Sequence, residues 1–216
     1  NSSAAPRSGN IQVEGATLTV NQAAATSGGL QFIPLYPCRL VDTRQGTGKT
    51  GVYGPPSLNG ARDIPLPQSG CGVPSNAVAY SFNLTAVPSA PLPYVAIWPA
   101  DQPQPAVSTL NSWDGRVVAN AAIVSAGAGG VVRLYSPTTT DIILDVNGYF
   151  IPAGTPGGLM FYPLPPCRAF DTRAGSGKTG NYGPPSMAAD LARTFSLPAS
   201  GCPVPSNAQA FSLNLT

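Results

Sequence analysis

Short apolar runs that alternate with polar or small residues set the pattern of this chain. From Ala77 to Leu84 small or apolar positions alternate with polar ones, the period of a strand with one buried face. Tyr94-Val95-Ala96-Ile97-Trp98 is a short continuous apolar strand. Arg116 to Val124, Gly130 to Tyr135 and Asp141 to Val146 follow, each bounded by Gly, Pro, Asn or Thr. Near the start, Ile11 to Glu14 and then Ala16 to Val20 read as a strand or hairpin, after a polar, loose Asn1 to Asn10. No segment keeps a 3.6-residue apolar period for three turns, so no helix is predicted. The fold class expected is all-β, with short strands spaced as in a β-sandwich or jelly roll.

An internal duplication organises these strands. Gly28-Gly29-Leu30-Gln31-Phe32 recurs as Gly157-Gly158-Leu159-Met160-Phe161. Pro37-Cys38-Arg39 and Asp42-Thr43-Arg44 recur as Pro166-Cys167-Arg168 and Asp171-Thr172-Arg173. Gly48-Lys49-Thr50-Gly51 with Tyr53-Gly54-Pro55-Pro56-Ser57 returns as Gly177-Lys178-Thr179-Gly180 with Tyr182-Gly183-Pro184-Pro185-Ser186. The predicted organisation is an extension over 1–27 with an orphan strand, a complete β-sandwich repeat over 28–152, a Pro/Gly linker over 153–160 and an incomplete second repeat over 161–216. Half a sandwich cannot cover its own apolar face, so further chain or a neighbouring subunit is expected to complete it. The orphan strand, with Ile11, Val13, Leu18 and Val20 as candidate assembly residues, has two readings. It pairs with its own sheet, or it adds to the edge of a neighbouring subunit.

Composition narrows the chemistry. The 216 residues are 43% hydrophobic with eight Tyr, which argues for packed structure, although 24 Gly and 25 Pro mark many turns. Charged residues are only 9%, against about 25% in ordinary soluble domains. Net charge is +2 with no basic run, so nucleic acid is not an expected partner. No apolar stretch reaches the ~18 residues of a membrane span, and membrane insertion is not expected. No signal peptide is visible ahead of Asn1, which reads as a mature or partial chain. Histidine is absent, which removes the commonest general base and zinc ligand and every Ser/His/Asp arrangement. Neither an enzyme nor a cofactor is expected.

The cysteines fall two per copy: Cys38 with Cys71, and Cys167 with Cys202. Four cysteines allow three pairings, of which one staple per repeat is the simplest. Closing a loop of about 33 residues stabilises by ~3–4 kcal/mol in the chain-entropy model and implies an oxidising compartment. Zinc lacks both the spacing and the histidines it would need.

Several motifs imitate sites. Gly46-Thr47-Gly48-Lys49-Thr50 has Thr43 where a P-loop needs its first glycine, and Gly54-Pro55-Pro56 cannot start the required helix. Asp42 and Arg44, with Asp171 and Arg173, read as turn and fold determinants in which a carboxylate caps amides and a guanidinium pairs with it. Asp141, Asp145 and Asn147-Gly148 lack the full calcium-loop pattern and read as a strand ending in a turn. Trp98 and Trp113 are candidate glycan contacts, against the plainer expectation that sandwich aromatics are core. Asn83-Leu84-Thr85 and Asn214-Leu215-Thr216 match the N-glycosylation sequon.

The motif string also resembles a known type of module. Phe32-x-Pro34-x-x-Pro37-Cys38-Arg39-x-x-Asp42-Thr43-Arg44, Ser81-x-Asn83-Leu84-Thr85, Ser108-Thr109-Leu110-Asn111, Ala119-Asn120-Ala121 and Asp145-Val146-Asn147-Gly148-Tyr149-Phe150 carry the likeness. It resembles a tandem repeat module of uncharacterised secreted or surface proteins of acidobacteria and actinobacteria. The resemblance implies an extracellular bacterial module and carries no activity or catalytic residues. The function expected is a structural subunit of an extracellular fibre or cell-surface assembly, a head-to-tail homopolymer of β-sandwich repeats. The alternative is a carbohydrate-binding or adhesive module whose partner is surface polysaccharide.

Overall fold

The computed structural model describes residues 7–13, 16–22, 29–162, 164–213 and 215. The chain divides into two units, Asn1–Met160 and Phe161–Thr216. Among the described residues unit 1 holds every strand: β1 Arg7–Val13, β2 Ala16–Gln22, β3 Leu30–Asp42, β4 Leu58–Pro65, β5 Ala79–Val87, β6 Leu92–Pro99, β7 Leu110–Ser112, β8 Val118–Ser125 and β9 Val131–Pro152. No α-helix occurs among the described residues, so the all-β class holds.

β3 to β9 make one seven-stranded, nearly closed sheet built around β9. The first part of this 22-residue strand lies between β4 and β6, with Leu134 opposite Arg62 and Ile97. Its second part lies between β3 and β5, with Leu144 opposite Val41 and Leu84. Sequence reading predicts two strands here, separated at the Pro137–Thr140 cluster. The backbone instead stays extended through that cluster and changes neighbours, as strands do at sheet corners. Side-chain parity survives the change: Val132, Leu134, Ser136, Thr140, Ile142, Leu144 and Val146 are all buried.

β5 supplies the matching face, with Tyr80, Phe82, Leu84 and Ala86 fully buried and half-buried polar residues between them. That alternation places the core between the two faces of the folded sheet, where each large side chain contributes roughly 1.5–3 kcal/mol by burial. β3 is missed by the sequence pattern because Pro34 and Pro37 interrupt it. It tolerates them because β9 is its one strand partner among the described residues and only Leu159 bridges its other side, at Phe32, so a missing N–H at an edge position costs no ladder bond. β4 and the three-residue β7 are missed as well.

The extension also differs from expectation. β1 begins at Arg7, inside the stretch expected to be loose, and pairs along its length with β2, Ile11 opposite Leu18. Neither strand joins the seven-stranded sheet, so the pairing with its own main sheet does not occur. Closing a short hairpin costs less chain entropy than reaching across the unit. The side chains of Ile11, Val13, Leu18 and Val20 lie outside those described. At the other end of unit 1 the predicted linker is partly structural. Leu159 exchanges backbone hydrogen bonds with Phe32, at 3.0 and 2.8 Å, and extends the edge of β3.

Unit 2 contains no strand among its described residues. The segments equivalent to β3 and β4 depend, in unit 1, on β9 as their partner. No equivalent of β9 occurs within the 216 residues.

Candidate functional site

The residues beside Cys38 form a clasp that ties three elements together. Asp42 closes β3 and is 2% exposed. Its carboxylate accepts from the Arg44 Nε and Nη2 at 2.9 and 2.7 Å, from the Arg44 backbone N–H at 3.3 Å and from the Arg39 Nη1 at 2.7 Å. Arg39 also hydrogen-bonds Asp145 on β9. The Arg44 guanidinium, bonded bidentately, holds the Asp42 carboxyl down to about 2 against the burial that would raise it. Beside it Thr43 donates to Asp141 at 2.9 Å and accepts from the Ile142 N–H at 2.8 Å, while Ser57 donates to Asp141 at 2.7 Å. The acids that faintly resemble a calcium loop are therefore engaged with Thr43, Ser57 and Arg39, and they fasten β9 to the loop after β3.

The second copy repeats the local part of this arrangement. Asp171 accepts from the Arg173 Nε, Nη2 and backbone N–H at 3.0, 2.7 and 3.1 Å and from Arg168 at 3.2 Å. The Arg173 bonds hold its carboxyl well below the usual carboxylate range. Disulfides join Cys38 to Cys71 and Cys167 to Cys202, with Cα atoms 5.7 and 5.8 Å apart. Each copy thus carries its own staple, consistent with an oxidising compartment.

Arg62 and Arg193 also act in both copies, and sequence reading did not single them out. Arg62 donates to the Gly54 and Pro56 carbonyls at 2.9 and 2.6 Å; Arg193 donates to those of Gly183 and Pro185 at 2.7 and 2.8 Å. Their shared Ala-Arg context after the Tyr-Gly-Pro-Pro loop was the available signal. The loop itself needs glycine: a Cβ on Gly54 or Gly183 would collide with the carbonyl of Lys49 or Lys178. The run that imitates a P-loop is part of this structural turn, with Thr47 donating to the Asp42 carbonyl at 3.2 Å.

The two tryptophans part ways. Trp98 is only 5% exposed and its indole N–H donates to the Gln102 carbonyl at 3.0 Å, so it is a packing residue and not a glycan contact. Trp113 is 70% exposed and borders an open groove with Pro93, Tyr94, Pro105, Val107 and Asn111. The Tyr94 ring lies 5.8 Å from that of Tyr135, and its hydroxyl accepts from Gln104 at 3.3 Å.

No family model, curated protein or solved structure matches this chain. Functional inference therefore rests on its own geometry. No helix among the described residues is long and apolar enough to cross a membrane.

One end of the sheet path stands out by its composition. β8 pairs with β5 and ends the sheet path. Its sequence, Val118-Ala119-Asn120-Ala121-Ala122-Ile123-Val124-Ser125, carries neither charge nor proline, and Ile123 is 71% exposed. Edge strands are normally blunted by one of these devices, and β3 carries two prolines.

Proposed function

We propose that this chain is a structural subunit of an extracellular bacterial assembly, polymerised through its sheet edges. The observation that carries this reading is the composition of β8, eight residues without charge or proline at the end of the sheet path, which pair with β5 on one side and bond toward the loop before β7 through Asn120. The β1–β2 hairpin, paired only with itself among the described residues, is the strand donor: added to β8 of the next copy, it makes a heterologous contact that repeats without closing. On this reading each complete repeat is a sandwich whose layers are joined through β9, and the repeats stand in tandem. The disulfide in each copy, the low charge and the resemblance to secreted bacterial modules support the same role. The Asp42 clasp keeps its full contribution to each subunit above about pH 4 and loses it as pH falls toward 2.

Light scattering coupled to size exclusion, with negative-stain microscopy of the unreduced protein, tests it. Regular filaments are expected from the wild type. Ala121→Lys/Ile123→Lys and a deletion of residues 1–27 are both expected to leave folded monomers. A wild type that stays monomeric at every concentration overturns the proposal. Filaments that survive the deletion but not the lysines would replace the hairpin with edge-to-edge pairing of β8.

A further inference from the structure

We infer that the groove beside Trp113 binds an uncharged polysaccharide. The site stands on β6, β7 and the loops flanking β7, away from the clasp; Asn120 of β8 braces it, while Ala121 and Ile123 are not among its lining residues.

The groove holds its shape without a ligand. Asn111 donates to the Pro93 carbonyl at 2.5 Å and accepts from Ser108 at 2.9 Å, which latches the loop before β7 onto β6. Asn120 adds a bond to the Thr109 carbonyl at 2.7 Å. On the other side of β7 the Trp113 turn is pinned from beneath. Buried Ser112 donates to the Arg116 carbonyl at 2.7 Å, and Asp114 accepts from the Arg116 backbone N–H at 3.3 Å and from its guanidinium at 2.5 Å. Gly115, at φ +72°, makes the turn and passes so close to Ala90 that a Cβ would press on its carbonyl carbon at 3.2 Å. An indole is thus held in water on a rigid support, where its apolar face has no protein partner to cover it. Ligand sites have this character: largely pre-formed, aromatic and edged with a few oriented polar groups. The cavity volume of about 360 Å³ falls within the range of such sites.

The lining decides the ligand class. Trp113, Tyr94, Val107 and the two prolines offer apolar faces, and Ser108, Asn111 and the Tyr94 hydroxyl offer neutral donors and acceptors. None of the lining residues is charged, and the nearby Arg116 is already paired with Asp114. A uronate or phosphate would lose its hydration with no cation in return. A neutral sugar suits the groove on both counts, because its ring C–H face stacks on an aromatic ring while its hydroxyls exchange hydrogen bonds at the rim.

Affinity electrophoresis through gels containing cellulose-type, laminarin-type, mannan or xylan polymers, with polygalacturonate as the anionic control, tests the site. Fluorescence titration with the matching hexasaccharide follows. Monomeric protein is used, so the result is independent of whether copies polymerise. Retardation by at least one neutral polymer is expected, with a tryptophan emission change on titration. Trp113→Ala is expected to weaken binding at least tenfold, to abolish the emission change and to leave the circular dichroism unaltered. Trp113→Phe is expected to retain part of the affinity. Binding to none of the neutral polymers, retardation by polygalacturonate alone, or equal affinity in the Trp113→Ala variant would each overturn the inference.

Discussion

Around Cys38 and around Cys167 the chain does the same local things, yet only the first neighbourhood becomes a sheet. Both have a disulfide, an Asp clasped by the Arg two residues on, and an Arg that caps the Tyr-Gly-Pro-Pro loop. In both, the loop tyrosine donates to a backbone carbonyl, Tyr53 to Pro65 at 2.7 Å and Tyr182 to Ser196 at 2.9 Å. What differs is the partner strand. Residues 30–42 become β3 by pairing with β9, about a hundred residues further along, while their equivalents in unit 2 have no such partner among the described residues. The motifs quoted from the repeat therefore specify the loop and the staple. The strands are specified by a non-local alignment, with the loop-closure cost that such contacts carry.

Packing follows the same division. Val41 and Ile64 are fully buried in the core of unit 1. Their equivalents, Phe170 and Phe195, stack on each other at 4.9 Å, with Tyr182 at the edge of Phe195 and the Arg193 guanidinium 5.6 Å from the Phe170 centroid. Unit 2 thus gathers a small aromatic cluster where unit 1 threads aliphatic side chains into a sheet.

The sharpest way to separate the two units is to damage β9. Leu144 is fully buried between Val41 and Leu84, so Leu144→Ala is expected to cost unit 1 about 4 kcal/mol through lost burial and an unfilled cavity. Urea unfolding followed by circular dichroism measures this, while NMR signals of Tyr182 and Phe195 are expected to stay unchanged. Simultaneous loss of those signals would show that unit 2 depends on the sheet after all.

Removing the staples reverses the weighting. Each closed loop contributes on the order of 3 kcal/mol, but unit 1 has a sheet to fall back on and unit 2 does not. Cys167→Ser/Cys202→Ser is expected to expose the Phe161–Leu213 stretch to protease, whereas Cys38→Ser/Cys71→Ser is expected to lower the melting temperature of unit 1 and leave its digestion pattern intact. Limited proteolysis with mass spectrometry tells these apart; equal protection of both variants would break the comparison.

The parts legible in the sequence are those written locally. Alternation located β5, a continuous apolar run located β6, flanking turn residues located β8, the duplication located both clasps, and cysteine placement anticipated both disulfides. β3 was hidden because two prolines mask an edge strand, and β9 was read as two strands because its bend coincides with a Pro-Thr cluster. The exposure of Trp113 and the burial of Trp98 were equally invisible. Trp98 ends an apolar run and Trp113 lies in a polar Asn-Ser-Trp-Asp-Gly stretch, but the β6–β9 pairing and the turn after β7 are what decide which ring meets water.

A smaller effect is expected from the clasp. Asp42→Asn removes a buried carboxylate, leaving Arg44 without its partner and Arg39 with Asp145 alone, a loss of about 2 kcal/mol. Asp171→Asn is expected to cost less, because Arg168 and Arg173 are largely in water, at 61% and 76% side-chain exposure. Thermal melts of the two variants, read against the same wild type, rank the clasps directly. A larger shift for Asp171→Asn would mean that the aromatic cluster of unit 2 leans on its ion pair more than the sheet of unit 1 does.

Acid provides the finest comparison. The folded Asp42 carboxyl titrates at about 2, below the usual value of 3.8. A group depressed in this way stabilises the fold fully above its unfolded pKa, and the contribution disappears as pH falls from about 4 toward 2. The loss expected is on the order of 1–2 kcal/mol, reduced from the full shift because Arg39 and Arg44 face solvent. Above pH 5 no change is expected from this source, because the carboxyl is ionised in both the folded and the unfolded chain. Asp171 is depressed for the same reason, but its guanidinium partners are more exposed, so 1 M salt is expected to weaken its clasp more than that of Asp42. Carboxyl-detected NMR titration at low and high salt reads both groups in one sample. An upward salt shift at Asp171 exceeding that at Asp42 would show that β9, acting through Asp145 and Arg39, shields the first clasp. Equal shifts would mean that each clasp is as local in its electrostatics as in its sequence.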